Sequence, residues 1–206
     1  HRDLHSFPTR RSSDLSKKEI ILKIISKSLI HDKFPVKIYL AQALIKSQNF
    51  DLLLQKGMEL GLYAIYPMIT KYVSGEKVSG SEERWKKVLI AAAKQCGRNS
   101  LIHIEKAQKF KDLLNESKKF DISLLAHNLD GILSFRKVLE DKQKSGEKKI
   151  ESVFVMIGPE GGFTQDEVSE AVKNNITLFS LGNYVLKSET AAISVISCLN
   201  FFFAEM

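Results

Sequence analysis

The stretch IGPEGGFTQDEV, residues 157–168, is the part of the sequence that decides the fold. It overlaps the apolar run SVFVMI (152–157), and a run without polar alternation is typical of a parallel strand buried on both faces. Thr164 and Glu167 have the spacing of a capping box, in which each side chain bonds the backbone N–H of the other residue. The sequence therefore predicts a strand, a short turn and a helix that begins after Thr164.

The turn between this strand and this helix is rich in glycine. Its spacing is neither the GxGxxG of dinucleotide-binding loops nor the GxxxxGK[ST] of phosphate loops, and the carboxylate of Glu160 disfavours a bound phosphate. Gly161 and Gly162 can adopt positive φ and leave room for a flat ligand against the backbone. An ordinary tight strand-to-helix turn is the alternative interpretation.

From residue 16 onward, segments typical of strands alternate with segments typical of helices. Strands are predicted over residues 19–30, 36–44, 62–69, 101–105, 120–127, 152–157 and 176–181. Helices are predicted over residues 49–61, 81–97, 109–117, 133–143 and 164–175 and from 188 to the end, with Gly61 and Gly97 closing two of them. The alternation predicts an α/β fold, a mainly parallel sheet with helices on both faces.

The composition is that of a soluble globular protein, with 44% hydrophobic and 27% charged residues. No apolar run approaches the ~18 residues of a membrane span, and no signal sequence is recognisable. Cys96 and Cys198 lie far apart without a metal-ligand pattern. They are expected to be buried free thiols in a reducing compartment, which points to the cytoplasm; a disulfide or a metal site is the alternative, and no metal is expected.

The first fifteen residues, HRDLHSFPTRRSSDL, differ from the rest of the chain, because they lack apolar periodicity. SFPTRRSSDL can be read as a translated sequencing adaptor, so residues 1–15 are expected to be non-native; a disordered basic arm is the alternative. Their three Arg and two Asp contribute +1 to the net charge of +7 and leave +6 for the rest. A net positive charge of this size suits a polyanionic partner such as RNA.

A second loop, SLGNYVLKSETAA (180–192), resembles the first in build. A strand ends at Leu181–Gly182, and Ser188 is placed to cap the last helix. Leu181, Val185 and Leu186 could enclose a planar heterocycle while Gly182 exposes backbone groups, although these side chains could instead fill the core. A third strand ends at His127, to which we assign no role in the chemistry.

The two glycine loops together resemble the signature pair of the SPOUT methyltransferases. Three upstream segments, LAQALIK (40–46), LLLQKGMELGL (52–62) and ERWKKVLIAAAKQCGR (83–98), resemble elements of the bacterial RsmE-type enzymes. Those enzymes methylate N3 of a uridine in the 16S RNA of the small ribosomal subunit. The matching stretches cover roughly residues 36–206 in the right order.

The resemblance implies a deep trefoil knot in the C-terminal part of the sheet, a homodimer, and S-adenosylmethionine, without a metal, bent between the two loops. The motifs match the family's cofactor contacts at Ile157, Gly158, Pro159, Glu160, Gly161, Leu181, Gly182, Leu186, Glu189 and Thr190. The resemblance also implies a β-barrel-like, PUA-like RNA-binding domain, and residues 16–35 are expected to be a remnant of it. The methyltransferase domain is expected to follow over residues 36–206.

The chain departs from the family where catalysis is expected. Lys187–Ser188 replaces the family's Arg-Thr, and lysine keeps the charge but loses the bidentate fork. Lys187 and Arg98, oriented by Glu189, are expected to form the uridine pocket and to stabilise the anion that develops at N3. The alternative is that Lys187 and Arg98 are solvated surface charges.

Other members of the superfamily methylate a ribose 2′-hydroxyl or another base, and a silent relative would bind RNA without methylating it; both remain alternatives. In the last helix, Ala192, Val195, Ile196, Leu199, Phe202 and Phe203 have helical spacing, with Phe201 beside them. Three consecutive aromatics cannot all face one core, so a second apolar surface is predicted. A dimer interface or a tail on the chain's own sheet would account for it.

Overall fold

The structure is a computed structural model that describes residues 34–73, 81–128, 131–145 and 149–204. The expectations for residues 1–15 and 19–30, and all but the end of the expected remnant 16–35, lie outside these residues.

The described residues form one sheet of seven strands, in the order β3-β2-β1-β6-β5-β7, with β4 also paired to β2. Every strand pairing in the described residues is parallel. The strands are β1 Lys37–Ala43, β2 Ala64–Ile69, β3 His103–Ile104, β4 Gln108–Lys109, β5 Ile122–Ala126, β6 Ser152–Ile157 and β7 Thr177–Phe179. Because β1 and β6 pair along their length, from Lys37↔Ser152 to Gln42↔Ile157, both lie in the middle of the sheet.

Helices cover both faces of this sheet. They are α1 Ser47–Glu59, α2 Ser81–Cys96, α3 Phe110–Glu116, α4 Phe135–Ser145, α5 Gln165–Lys173 and α6 Ser188–Ala204; residues Ser117–Lys119 form a 3₁₀ turn after α3. In β1, Ile38 and Leu40 pack in a core with residues of α1, α2, α4 and α6, whereas Ala41 and Ala43 pack with α3 and α5. The predicted parallel α/β fold is confirmed; the knot stays a prediction.

Several helix and strand ends differ from the sequence expectation. Helix α1 begins at Ser47 rather than at Asn49, and β3 is reduced to His103–Ile104. Gly61 and Gly97 stand just after α1 and α2 at φ 78° and 73°, the left-handed conformation that ends a helix. Their predicted positions as helix terminators are confirmed.

Helix α6 has one buried face and one exposed face. Its buried hydrophobic residues are Ala192, Val195, Ile196, Leu199 and Phe203, and the side-chain amide of Asn200 donates to the carbonyl of Leu60 after α1. Phe202 is half-buried and Phe201 is 69% exposed, so the three aromatics do not share one core, as predicted. Within the described ranges, no helix is long and apolar enough to cross a membrane.

The prediction that both cysteines are buried is wrong. Cys96 and Cys198 are free thiols, and both are exposed. Each cysteine lies in a helix whose buried face is formed by other residues. The apolar spacing in the sequence did not show whether the cysteine belongs to that face.

Candidate functional site

The capping box predicted at the start of α5 is present and also fixes a neighbouring loop. The Glu167 N–H donates to Thr164 Oγ1 (3.2 Å), and the Thr164 N–H donates to Glu167 Oε2 (2.8 Å). The other carboxylate oxygen of Glu167 accepts from the backbone N–H of Lys71, just after β2 (3.0 Å). One side chain therefore holds the helix start and the end of a second strand together.

The turn between β6 and α5 is closed by a hydrogen bond from the Gly162 N–H to the Pro159 carbonyl (2.9 Å). Gly162 has φ 69°, as the sequence allowed, whereas Gly161 is not among the glycines with positive φ. Gly158 is required for space: a Cβ there would lie 3.2 Å from the carbonyl carbon of Gly162 and 3.2 Å from the Phe163 ring. A side chain at Gly158 would therefore require these neighbours to shift by a few tenths of an ångström.

The second loop, residues 180–187, faces this turn. Gly182 has φ 127°, and its N–H donates to the hydroxyl of Ser180 (3.2 Å). Beyond it, Tyr184 and Val185 are 85% and 84% exposed, which is unusual for large apolar side chains. The loop thus presents an apolar surface that nothing in the described chain covers.

Between the two loops lies a cavity of about 300 Å³ at the carboxyl edge of the sheet, the usual place for ligands in such sheets. This volume is at the lower end of the range for small-molecule sites. It is lined by Ala126–Asn128, Ile157–Phe163, Leu181, Gly182, Tyr184–Leu186, Ser188 and Ala191. The ends of β5 and β6, the second loop and the start of α6 all contribute to it.

A buried hydrogen-bond chain crosses behind the cavity. The Ser188 hydroxyl donates to the Gly158 carbonyl (2.5 Å), and Gln42 Nε2 donates to the Ser188 hydroxyl (2.8 Å). The prediction that Ser188 caps α6 is therefore wrong. Ser188 is the first residue of the helix, and its hydroxyl is bonded to the turn and to β1 instead.

His127, at the end of β5, lies on the cavity wall. Burial lowers the pKa of its imidazole below the ordinary 6.5 and so favours the neutral form. No group of three or more His, Cys, Asp or Glu that could hold a metal occurs in the part of the chain that the structure describes.

Eight of the ten predicted cofactor-contact residues line the cavity; they are Ile157, Gly158, Pro159, Glu160, Gly161, Leu181, Gly182 and Leu186. The other two lie in the first turn of α6, outside the lining. Thr190 is exposed. Glu189 is buried, and its Oε2 has no hydrogen-bond partner in the described chain. Their contact with a cofactor stays a prediction.

A single chain does not bring the three predicted catalytic residues together. Lys187 is exposed beside the cavity residue Leu186, and among the described residues no hydrogen bond or ion pair joins it to Glu189. Arg98 lies at the opposite, amino-terminal edge of the sheet. There its guanidinium donates to the Met58 carbonyl near the end of α1 (3.4 Å) and stands 5.1 Å from the Phe34 ring centroid, just before β1.

The comparisons with known proteins match the motifs. A family model for an RNA methyltransferase domain covers residues 32–200. The chain belongs to the RNA methyltransferase family. The ribosomal RNA small subunit methyltransferase E of Mesomycoplasma hyopneumoniae (strain 232) is 32% identical over 179 residues, covering 85% of this chain and 74% of that protein. The Bacillus subtilis (strain 168) protein of the same name is 27% identical over 196 residues, covering 91% and 74%.

Among solved structures, the family member from Neisseria gonorrhoeae, a ribosomal RNA small subunit methyltransferase E bound to S-adenosyl methionine, superposes with a TM-score of 0.69. It is 25% identical, and the match covers 82% of this chain and 67% of that one. The family predicted from the two glycine loops is confirmed.

Sequence reasoning missed Gln42 and gave His127 no part in the site. Gln42 stood out only as a polar residue within the apolar segment VKIYLAQAL (36–44). A buried polar side chain in a central strand requires a partner, and that requirement was the available signal.

Proposed function

We propose that this chain transfers the methyl group of S-adenosylmethionine to N3 of a uridine in the 16S RNA of the small ribosomal subunit. The observation that carries the proposal is the cavity between the turn and the second loop, whose wall combines bare backbone, exposed apolar side chains and a carboxylate. The names of the relatives and the S-adenosyl methionine bound in the Neisseria gonorrhoeae structure support it.

The residues of the cavity fit a sulfonium nucleoside. Tyr184 and Val185, with Leu181 and Leu186, offer an apolar surface that a planar base would cover. The glycine turn exposes peptide groups that can read the edge of a base or a ribose. Glu160 is exposed, lines the cavity and has the charge opposite to that of a sulfonium.

When bound, the cofactor supplies an activated methyl group, and the protein contributes position and electrostatics. Uracil N3 loses its proton as it is methylated, so a nearby cation stabilises the negative charge that develops there. Lys187 is exposed between the cavity residues Leu186 and Ser188, and we assign that stabilisation to its ammonium group. It holds a single positive charge at the cavity without the bidentate geometry of an arginine.

Glu189 is kept in the proposal as an orienting group, because its buried Oε2 lacks a partner in the described chain and would accept a hydrogen bond from Lys187 or from the base. Arg98, at the opposite edge, has no role in the pocket of its own chain under this proposal. The methyltransferase domain is assigned to residues 36–206, with the trefoil knot in its C-terminal part.

We further propose that the protein works in the cytoplasm on the small ribosomal subunit, as a homodimer that buries the exposed side of α6. The exposure of Phe201 supports such an interface, since an aromatic side chain gains most from being covered.

Two measurements test the proposed function. Calorimetric titration with S-adenosylmethionine is expected to show one site per chain. Mass mapping of ribosomal RNA from a strain lacking the gene is expected to show one uridine without its N3 methyl group. A missing 2′-O-methyl group, or an unchanged RNA together with intact RNA binding, would instead support the alternatives.

A further inference from the structure

Gln42 is the most deeply buried polar residue near the cavity. It lies near the end of the central strand β1, in register with Ile157 of β6, and its side chain is fully buried. Burial of an amide is costly unless its groups are hydrogen-bonded. Nε2 is bonded to the Ser188 hydroxyl and to the Ala43 carbonyl, whereas Oε1 has no partner in the described chain.

The chemistry of the Ser188 hydroxyl fixes the direction of this hydrogen-bond chain. A serine hydroxyl has a single hydrogen, and the Gly158 carbonyl can only accept it. The hydroxyl oxygen must therefore accept from its other neighbour, so Gln42 has to present Nε2 rather than Oε1. The amide orientation is dictated by its partners, and a carboxylate at position 42 could not replace it.

The hydrogen bonds from Gln42 through Ser188 to Gly158 link three elements that are distant in sequence. Gly158 opens the glycine turn, Ser188 begins α6 directly after the second loop, and both line the cavity. Since one hydroxyl joins the two loops, its bond contributes to the width of the cavity between them. Gln42 does not line the cavity, but it anchors that hydroxyl to the centre of the sheet.

We propose that Gln42 is a positioning residue that acts through Ser188 to hold the two loops at the separation that S-adenosylmethionine requires. This inference rests on the proposed function, since it concerns the affinity of the same cavity for the same cofactor.

The experiment measures the dissociation constant of S-adenosylmethionine by calorimetry on the full chain and on variants. Ser188→Ala and Gln42→Met each remove one link, and each is expected to raise the dissociation constant roughly two- to tenfold, the range for the loss of one hydrogen bond. The double variant is expected to bind no more weakly than Ser188→Ala, because residues that act through one network are not additive. Ser188→Thr keeps the hydroxyl and is expected to stay within about twofold of wild type.

Ser117→Ala is the matched control. Its hydroxyl is also buried and donates to a carbonyl, that of Leu114 (2.8 Å), but it lies in the 3₁₀ turn before β5, outside the cavity lining. Its loss is expected to lower the melting temperature without changing the dissociation constant. A purely structural role of Gln42 would give this same pattern and would overturn the inference.

Turnover supplies a second readout. The KM for S-adenosylmethionine is expected to rise in Gln42→Met while kcat at saturation stays within about twofold, because the residue does not touch the reacting atoms. Gln42→Met also serves as the decisive variant if Ser188→Ala does not fold. Wild-type affinity in Gln42→Met, or fully additive losses in the double variant, would overturn the inference alone. Absence of binding by the wild-type chain would overturn the proposed function itself.

Discussion

Replacing Gly158 by alanine tests whether the shape of the turn sets cofactor affinity. The new Cβ would lie 3.2 Å from the Gly162 carbonyl carbon and from two atoms of the Phe163 ring, where carbon atoms prefer roughly 3.5–4.0 Å. Phe163 is buried and its ring packs against that of Phe110, with centroids 5.6 Å apart, so the ring is held in place and the turn has to shift instead. Overpacking of this kind costs roughly 1–3 kcal/mol.

The free chain can relieve this strain by shifting the turn, but the bound state has to restore its shape. The overpacking energy of roughly 1–3 kcal/mol therefore weakens binding. Since 1.4 kcal/mol corresponds to a tenfold change in the dissociation constant, the affinity for S-adenosylmethionine should fall about 5- to 140-fold. Isothermal titration calorimetry measures this directly. Gly61→Ala is the control: it adds the same methyl group at φ 78°, after α1, with no atom closer than 3.8 Å. It is expected to lower stability and leave affinity unchanged. Binding by Gly158→Ala within twofold of wild type would refute the reasoning.

Four further predictions concern other parts of the site. Lys187→Met is expected to lower methylation of small-subunit RNA at least about 100-fold, the usual worth of one electrostatic contact to the transition state, while sparing cofactor binding; unaltered turnover would remove Lys187 from the mechanism. Burial lowers the pKa of His127, so the unfolded chain takes up a proton on this imidazole first; the free energy of unfolding should decrease as the pH falls from 6.5 through the lowered pKa, and this pH dependence should be smaller in His127→Gln. Thr164→Val is expected to lower the free energy of unfolding by about 0.5–2 kcal/mol in denaturant titrations. Thr164→Ser keeps the capping hydroxyl and should retain most of the stability that the cap contributes. Sedimentation should show a dimer that Phe201→Asp shifts towards monomer, and a wild-type monomer in dilute buffer would contradict the proposed interface.

Local patterns predicted the elements around the site accurately. The run SVFVMI is β6, and the spacing of Thr164 and Glu167 is a complete capping box with both hydrogen bonds. These features depend on neighbouring residues, so a single sequence contains what is needed to find them. The same holds for the glycines that end α1 and α2.

Features that depend on distant residues could not be predicted in the same way. Nothing in the residues of β1 indicates that it pairs with β6 as well as with β2. Ser188 was correctly placed at a helix start, but the carbonyl that its hydroxyl bonds belongs to Gly158, in a separate loop. The thiol of Cys198 was expected to be buried because free cysteines usually are, whereas it is exposed on α6.

The bond between Gln42 and Ser188 joins positions that are 146 residues apart. During synthesis, a nascent chain that has grown only through the turn after β6 already holds Gln42 and Gly158 but not the Ser188 hydroxyl that joins them. Contacts of such long range form slowly, because the intervening chain must first be ordered. A polypeptide interrupted before α6 would therefore carry all seven strands of the described sheet without Ser188 and Ala191 of the binding pocket.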